Sequence, residues 1–221
     1  MIVSAFTKSY GTKKVLSFPE TEFAKGKIYA VIGPNGSAKS TMAKVLAGIE
    51  KSDSKNAVLK DCCVGYMPQK SFPFRMSVKN NIFLNGNNKN RADYLINQLG
   101  LESLSERGAK KLSGGETAKM ALARLLMKHY DILILDEPCA SMDMKSTLIT
   151  ENLLKEYLLK ENGVIILITH SLQQASRIAD EVLFFENGNL IEKGETATIL
   201  SNPFDNRTRE FIDFQALGVK I

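Results

Sequence analysis

The sequence predicts an α/β protein with a mainly parallel sheet, antiparallel strands at its flank and a small helical insertion. Three observations carry this. Short apolar runs at residues 27–32, 132–135, 164–168 and 182–185 alternate with segments of helical period such as 116–128 and 145–159. Strands apolar on both faces, separated by helices, belong to a parallel sheet that is covered on both sides. Two hairpin signals break this alternation, and residues 71–111 turn polar, with Asn80, Asn81, Asn85, Asn87, Asn88 and Asn90.

Taken in order, residues 1–18 read as a hairpin turning near Gly11, and 27–32 as a strand that runs into the glycine-rich segment 33–41. Residues 42–48 have helical period and 64–67 form another short strand. The polar stretch 71–111 is expected to be a helical subdomain, and the remainder, 1–70 and 112–221, one core. In 145–159 the apolar positions Leu148, Ile149, Leu153, Leu154, Tyr157 and Leu158 recur at three- and four-residue steps, which predicts one buried stripe. Asn187 and Gly188 sit between short apolar runs, the strongest local hairpin signal. One short helix around 208–214 completes the chain.

A length of 221 residues fits one domain with a modest inserted lobe. Hydrophobic residues at 44% and charged residues at 24% exclude wholesale disorder and fibrous classes. The net charge of +5 favours anions or an acidic membrane surface and is too small to argue for nucleic acid. Three cysteines, Cys62, Cys63 and Cys139, do not make a disulfide framework and suit a reducing compartment. Residues 1–10 lack the apolar region of a signal peptide, and no apolar run approaches the roughly 20 residues that span a bilayer. A cytoplasmic chain is expected, held at a membrane only through a partner.

Residues 33–41 read GPNGSAKST directly after an apolar strand and directly before a helix. A phosphate-binding loop needs small residues so that backbone N–H groups converge on an anion, a helix N-terminus, a lysine charge and a hydroxyl for Mg²⁺. Gly33, Pro34, Asn35, Gly36, Ser37 and Ala38 supply the loop, Lys39 the charge and Ser40 the hydroxyl, and Thr41 ends the segment before the helix. The usual pattern has glycine where this chain has Ala38. A methyl there is harmless at negative φ and costs about 1–2 kcal/mol in a left-handed conformation. Nucleotide binding is expected to survive it.

The strand 132–135 ends in Asp136, Glu137 and Pro138. Neighbouring strand residues point to opposite sides, so one carboxylate can serve a metal and the other can take a proton from water. Asp136 is the metal candidate and Glu137 the base. Residues 112–116 read LSGGE before an amphipathic stretch. Ser113 and Glu116 have the spacing of a capping box, while two glycines at a helix start leave N–H groups open to a second anion; the same residues could do both.

The order GPNGSAKS, Gln69, LSGGE, ILILDEP, Asp143, His170 resembles the nucleotide-binding domain of the ABC ATPases, over nearly the whole chain. The resemblance implies a P-loop NTPase core that binds ATP and Mg²⁺. Tyr10 would stack on adenine, and Lys39, Ser40 and Thr41 would hold phosphates and metal. Gln69 would meet metal and attacking water, Asp136 the metal, Glu137 the water and His170 the γ-phosphate. Ser113, Gly114 and Gly115 would close on ATP held by a second copy, in an ATP-sandwiched dimer, with Asp143 in the segment CASMD that resembles the family's D-loop. Glu116 stands where the family has glutamine, and Met142 where leucine is common.

Within the family the chain is similar to transport motors that dock on separate membrane permease subunits. It has neither the long coiled coil of repair-type members nor the paired domains of translation-type members. Residues 202–214, NPFDNRTREFIDF, resemble the tails of polar amino-acid and tungstate-type importers, which implies an extracytoplasmic solute-binding protein as an indirect partner and a place on the inner face of the cell membrane. A soluble ATPase and an exporter subunit are the alternatives. Phe72, Pro73, Phe74 and Met76 are either a docking surface for the permease or the core of the helical lobe. The short span from Lys39 to Gln69 predicts a trimmed antiparallel lobe, and the residues after 214 are too few for a regulatory domain.

Overall fold

A computed structural model describes residues 1–54, 59 and 62–216. In chain order the strands are β1 (Ile2–Val3), β2 (Phe6–Tyr10), β3 (Lys13–Phe18), β4 (Thr21–Glu22), β5 (Lys27–Ile32), β6 (Val64–Met67), β7 (Ile132–Asp136), β8 (Val164–Ile168), β9 (Glu181–Glu186) and β10 (Asn189–Glu195). The helices are α1 (Lys39–Leu46), α2 (Val78–Phe83), α3 (Lys89–Gln98), α4 (Gly114–Leu126), α5 (Met144–Glu161), α6 (Leu172–Ile178), α7 (Thr196–Ser201) and α8 (Asn206–Ala216).

Eight strands form one sheet in the order β2-β3-β10-β9-β5-β8-β7-β6. The five from β9 to β6 are parallel. β10 returns antiparallel to β9 through Asn187 and Gly188, both at positive φ, as the hairpin signal requires. The two carboxyl ends that matter most, those of β5 and β7, flank β8 in the middle of the parallel set.

Alternation along the central strands divides the core. Leu133 and Leu135 of β7 and Ile165 and Leu167 of β8 face α4, α5 and the inserted helices. Ile132, Ile134, Val164, Ile166 and Ile168 face the opposite layer, with α1 and the β2–β3 hairpin. Each such side chain contributes about 1.5–3 kcal/mol by leaving water. Helices α2 and α3 and two 3₁₀ turns, Glu102–Leu104 and Ala109–Lys111, occupy the polar stretch, and Val78, Ile82, Leu95 and Leu99 share the first of these cores with α4.

Two details differ from expectation. The N-terminal hairpin is β2–β3 alone, because Ile2 and Val3 pair with Glu22 and Thr21 in a separate two-stranded sheet. In α5, Leu148 is exposed and Ile149 half-buried, whereas Ser146, Thr147, Thr150 and Glu151 are buried. From the first half of that helix Glu151 makes a two-pronged pair with Arg177 of α6, at 2.9 Å to Nε and 2.7 Å to the terminal nitrogen. As the sequence predicts, the antiparallel strands lie at the flank of the parallel set, where β2, β3 and β10 extend the main sheet; residues 55–58, 60 and 61 of the span expected to be trimmed lie outside the described residues.

Candidate active site

The phosphate loop begins where β5 ends. Gly33 lies at φ 146°, and a Cβ there would sit 2.0 Å from the Phe185 carbonyl oxygen of β9, so no other residue fits. Gly36 turns the loop at φ 78°. Ala38 caps α1 at φ 72° and ψ 19°, with no side-chain cap, and the Met42 N–H donates to its carbonyl (2.9 Å). The N–H groups of the first helical turn have no partners within a helix, so Lys39, Ser40 and Thr41 present theirs at the loop. α1 thus starts at Lys39, earlier than its apolar period indicates, and takes in Ser40 and Thr41.

Lys39 is 6% exposed. Its Nζ donates to the carbonyls of Gly33 (2.8 Å) and Pro34 (2.7 Å) and lies 3.3 Å from Ser37 Oγ. Burial lowers its pKa to about 8, against the opposing pull of Glu137 and Asp136. Asp136, the last residue of β7, is 3% exposed, and Tyr66 of β6 donates to its Oδ2 at 3.4 Å. Burial raises the Asp136 pKa; hydrogen bonding from Ser40 and Tyr66 pulls the other way. Its Oδ1 is buried without a hydrogen-bond partner, an arrangement that costs about 1–3 kcal/mol unless a cation or water arrives.

Glu137 is not a strand residue. It stands one position past β7 at φ 51°, with its N–H donating to the Ile168 carbonyl (3.0 Å). The left-handed turn, not strand alternation, separates its carboxylate from that of Asp136. Gln69, two residues beyond β6, donates to Glu137 Oε2 at 3.0 Å, and His170 Nε2, two residues beyond β8, lies 2.8 Å from Oε1. The three adjacent parallel strands β6, β7 and β8 therefore bring Gln69 and His170 to the Glu137 carboxylate.

The LSGGE segment opens α4. Ser113 Oγ accepts from the Glu116 N–H (3.3 Å), and the Glu116 carboxylate accepts from the Ser113 N–H (2.7 Å), a complete capping box that lowers the Glu116 pKa. The glutamate that departs from the usual glutamine thus has a structural task. A Cβ on Gly115 would lie 2.8 Å from the Ser141 carbonyl oxygen, so this glycine packs on the 139–143 segment. Asp143 caps α5, its Oδ1 accepting from the Ser146 N–H (2.7 Å). A Cβ on Gly114 would likewise lie 3.5 Å from the Ser141 Cβ, so both glycines adjoin the 139–143 segment of their own chain.

A family profile described as ABC transporter matches residues 19–140. The chain belongs to the ABC transporter family. It is similar to the tungstate uptake system ATP-binding protein TupC of Peptoclostridium acidaminophilum, with 37% identity over 86% of this chain and 96% of the relative. It is also similar to the phosphate import ATP-binding protein PstB of Ehrlichia ruminantium (strain Gardel), with 33% identity over 92% of each. Among solved structures, a bacterial Atm1-family ABC exporter with ATP bound superposes with TM-score 0.84 at 23% identity; the match covers 97% of this chain and 41% of that one, and shows the shared fold. The protein is thus an ABC transporter ATP-binding subunit and an ATPase.

In this ABC subunit Tyr10 stands at the end of β2, 51% exposed. Phe72 and Phe74 are exposed and line a groove of about 680 Å³ with Met76, Leu84 and Arg124, whose guanidinium lies 5.2 Å from the Phe74 ring centre. Phe72 and Phe74 are therefore surface residues and not lobe core, whereas Pro73 and Met76 are half-buried. Pattern reasoning missed Tyr66 and Glu50. Neither carries a local signal, since their partners, Asp136 and Tyr10, lie 70 and 40 positions away.

Ala38 is in the conformation that glycine adopts freely, so strain of about 1–2 kcal/mol is stored there. Ala38→Gly recovers it, less about 0.5–1 kcal/mol of chain entropy. The expected result is a rise in Tm of about 2–4 °C per kcal/mol regained, read by calorimetry. An unchanged or lower Tm means that the methyl's packing beside the α1 core compensates the strain.

Proposed function

We infer that this ABC subunit hydrolyses ATP as a dimer and drives a solute importer of the polar amino-acid or tungstate-like oxyanion type. The whole of 1–221 acts as one ATPase domain, with 71–111 as its helical subdomain. The observation that carries the reading is the convergence of Gln69 and His170 on Glu137 beside the buried Lys39. The names of the tungstate and phosphate relatives favour an oxyanion over an amino acid.

The unpaired N–H groups of the loop and of the first turn of α1, from Lys39 to Thr41, and the Lys39 ammonium receive the β- and γ-phosphates, and Tyr10 meets the adenine. Glu137 orients the attacking water and takes its proton, while Gln69 and His170 fix the carboxylate and contact the γ-phosphate side. The unpartnered Asp136 Oδ1 and the nearby Ser40 hydroxyl fit a Mg²⁺ ion, with Gln69 as a third contributor. Bound Mg²⁺ supplies positive charge to the phosphate oxygens. Ser113, Gly114 and Gly115 of the partner subunit complete the site across a two-fold axis, with Asp143 beside them.

No helix among the described residues is long and apolar enough to cross a membrane. The groove at Phe72, Phe74, Met76 and Arg124 receives the permease, which holds the subunit on the inner membrane face, and a solute-binding protein acts on the far side. Mixing two inactive chains tests the shared site. Lys39→Ala and Ser113→Ala should each abolish hydrolysis alone, and their mixture should regain it, because one site of each mixed dimer is intact. A mixture that stays inactive places both elements of a site in one chain and ends this reading.

A further inference from the structure

α1 carries the phosphate loop at one end, and at the other it delivers a carboxylate to Tyr10. Gly48, at φ 70°, folds the chain back so that the Ile49 and Glu50 N–H groups both donate to the Lys44 carbonyl (2.9 and 3.1 Å). Glu50 then accepts a hydrogen bond from the Tyr10 hydroxyl and is flanked by Lys44 (3.6 Å) and Lys8 (3.9 Å). Lys8 and Tyr10 share one face of β2, and the Lys8 ammonium lies 5.0 Å from the Tyr10 ring centre. The following residues are zipped to the same strand: Asp53 accepts from the Ser9 N–H (3.1 Å), the Ser9 hydroxyl (2.9 Å) and the Thr7 hydroxyl (3.2 Å).

A half-exposed tyrosine at a strand end is ordinarily free to change rotamer, and ordering it is a cost that a stacking ligand must meet. Here two groups, the Glu50 carboxylate and the Lys8 ammonium, hold it in advance. We propose that Glu50 is a positioning residue for the nucleotide base: it anchors the Tyr10 hydroxyl, Lys8 covers one side of the ring, and the adenine stacks on the side left open. This rests on the reading of Tyr10 as the base contact. The hydrogen bond to Glu50 also raises the Tyr10 pKa, so the hydroxyl stays a donor at neutral pH. Because α1 links the two anchors rigidly, the distance from base platform to phosphate loop is set before ATP arrives.

Binding of ATP and of inorganic tripolyphosphate, which lacks base and ribose, tests this by calorimetry on four variants. Tyr10→Phe and Glu50→Ala should weaken ATP about three- to tenfold and leave tripolyphosphate unchanged. Glu50→Gln, which keeps an acceptor, should retain most of the affinity. If Tyr10→Ala weakens ATP while Tyr10→Phe and Glu50→Ala do not, the positioning role falls and the base contact stands. If Tyr10→Ala has no effect, the base contact itself falls and the inference with it. Equal weakening of both probes by Glu50→Ala would place its action at the phosphate end of α1 and overturn the proposal. Should Glu50→Ala lower the melting temperature, Tyr10→Phe, which keeps the ring, decides.

Discussion

Glu137→Gln should bind ATP with near-normal affinity and hydrolyse it about 10²–10⁴-fold more slowly, the range that a positioned general base contributes. Its left-handed turn past β7 and its backbone bond to Ile168 do not depend on the charge, so the side chain keeps its place. A glutamine there still meets Gln69 and His170 but has no lone pair basic enough to take a proton from water. The phosphate loop and Lys39 are untouched, so binding persists, and the ATP-bound dimer should accumulate on size-exclusion chromatography. Turnover close to that of the unmodified chain would remove Glu137 from the role of base.

Lys39 carries the second large effect. Truncating it to alanine removes the buried charge that we assign to the γ-phosphate, and such losses run to about 2–5 kcal/mol, so ATP affinity should fall at least tenfold in a direct titration. The same lysine predicts opposite pH trends for the free and bound chain. Its folded pKa of about 8 lies below its ordinary 10.5, so holding it charged costs stability below about pH 8. That cost fades as pH rises from about 8 towards 10.5, and through this group the nucleotide-free chain gains stability over that window. ATP favours the charged form, so above about pH 8 binding takes up a proton and weakens with rising pH. Calorimetry near pH 9 in two buffers of different ionisation enthalpy measures that uptake. Equal heats in both, with affinity flat between about pH 7.5 and 9.5, would show that Lys39 does not titrate as its burial requires.

Much of this site was legible before any coordinates. Gly33 to Thr41 are contiguous, and the need for small residues, a lysine and hydroxyls is a local one. The parallel strands declare themselves by being apolar on both faces, and Asp136 and Glu137 follow such a strand directly. Ser113 and Glu116 were open to two readings from spacing alone. The complete capping box in the fold accounts for the glutamate. The buried stripe of α5 was misjudged at Leu148 and Ile149 because periodicity cannot tell which side of a helix meets a buried ion pair such as Glu151 with Arg177.

By itself the sequence determined the class of sheet, the phosphate loop, the identity and order of the acidic and histidine groups, and the family, because each rests on near neighbours or on motif order. Only the tertiary structure decided that Glu137 leaves its strand in a left-handed turn, that Ala38 takes the strained alternative, and that Tyr66 and Glu50 stand behind Asp136 and Tyr10. Those contacts join residues some 40 to 70 positions apart, from Tyr10 with Glu50 to Tyr66 with Asp136. Such pairs leave no periodic trace in the chain, since what brings them together is the register of strands and the turn at the end of a helix, both settled only when the whole sheet has formed.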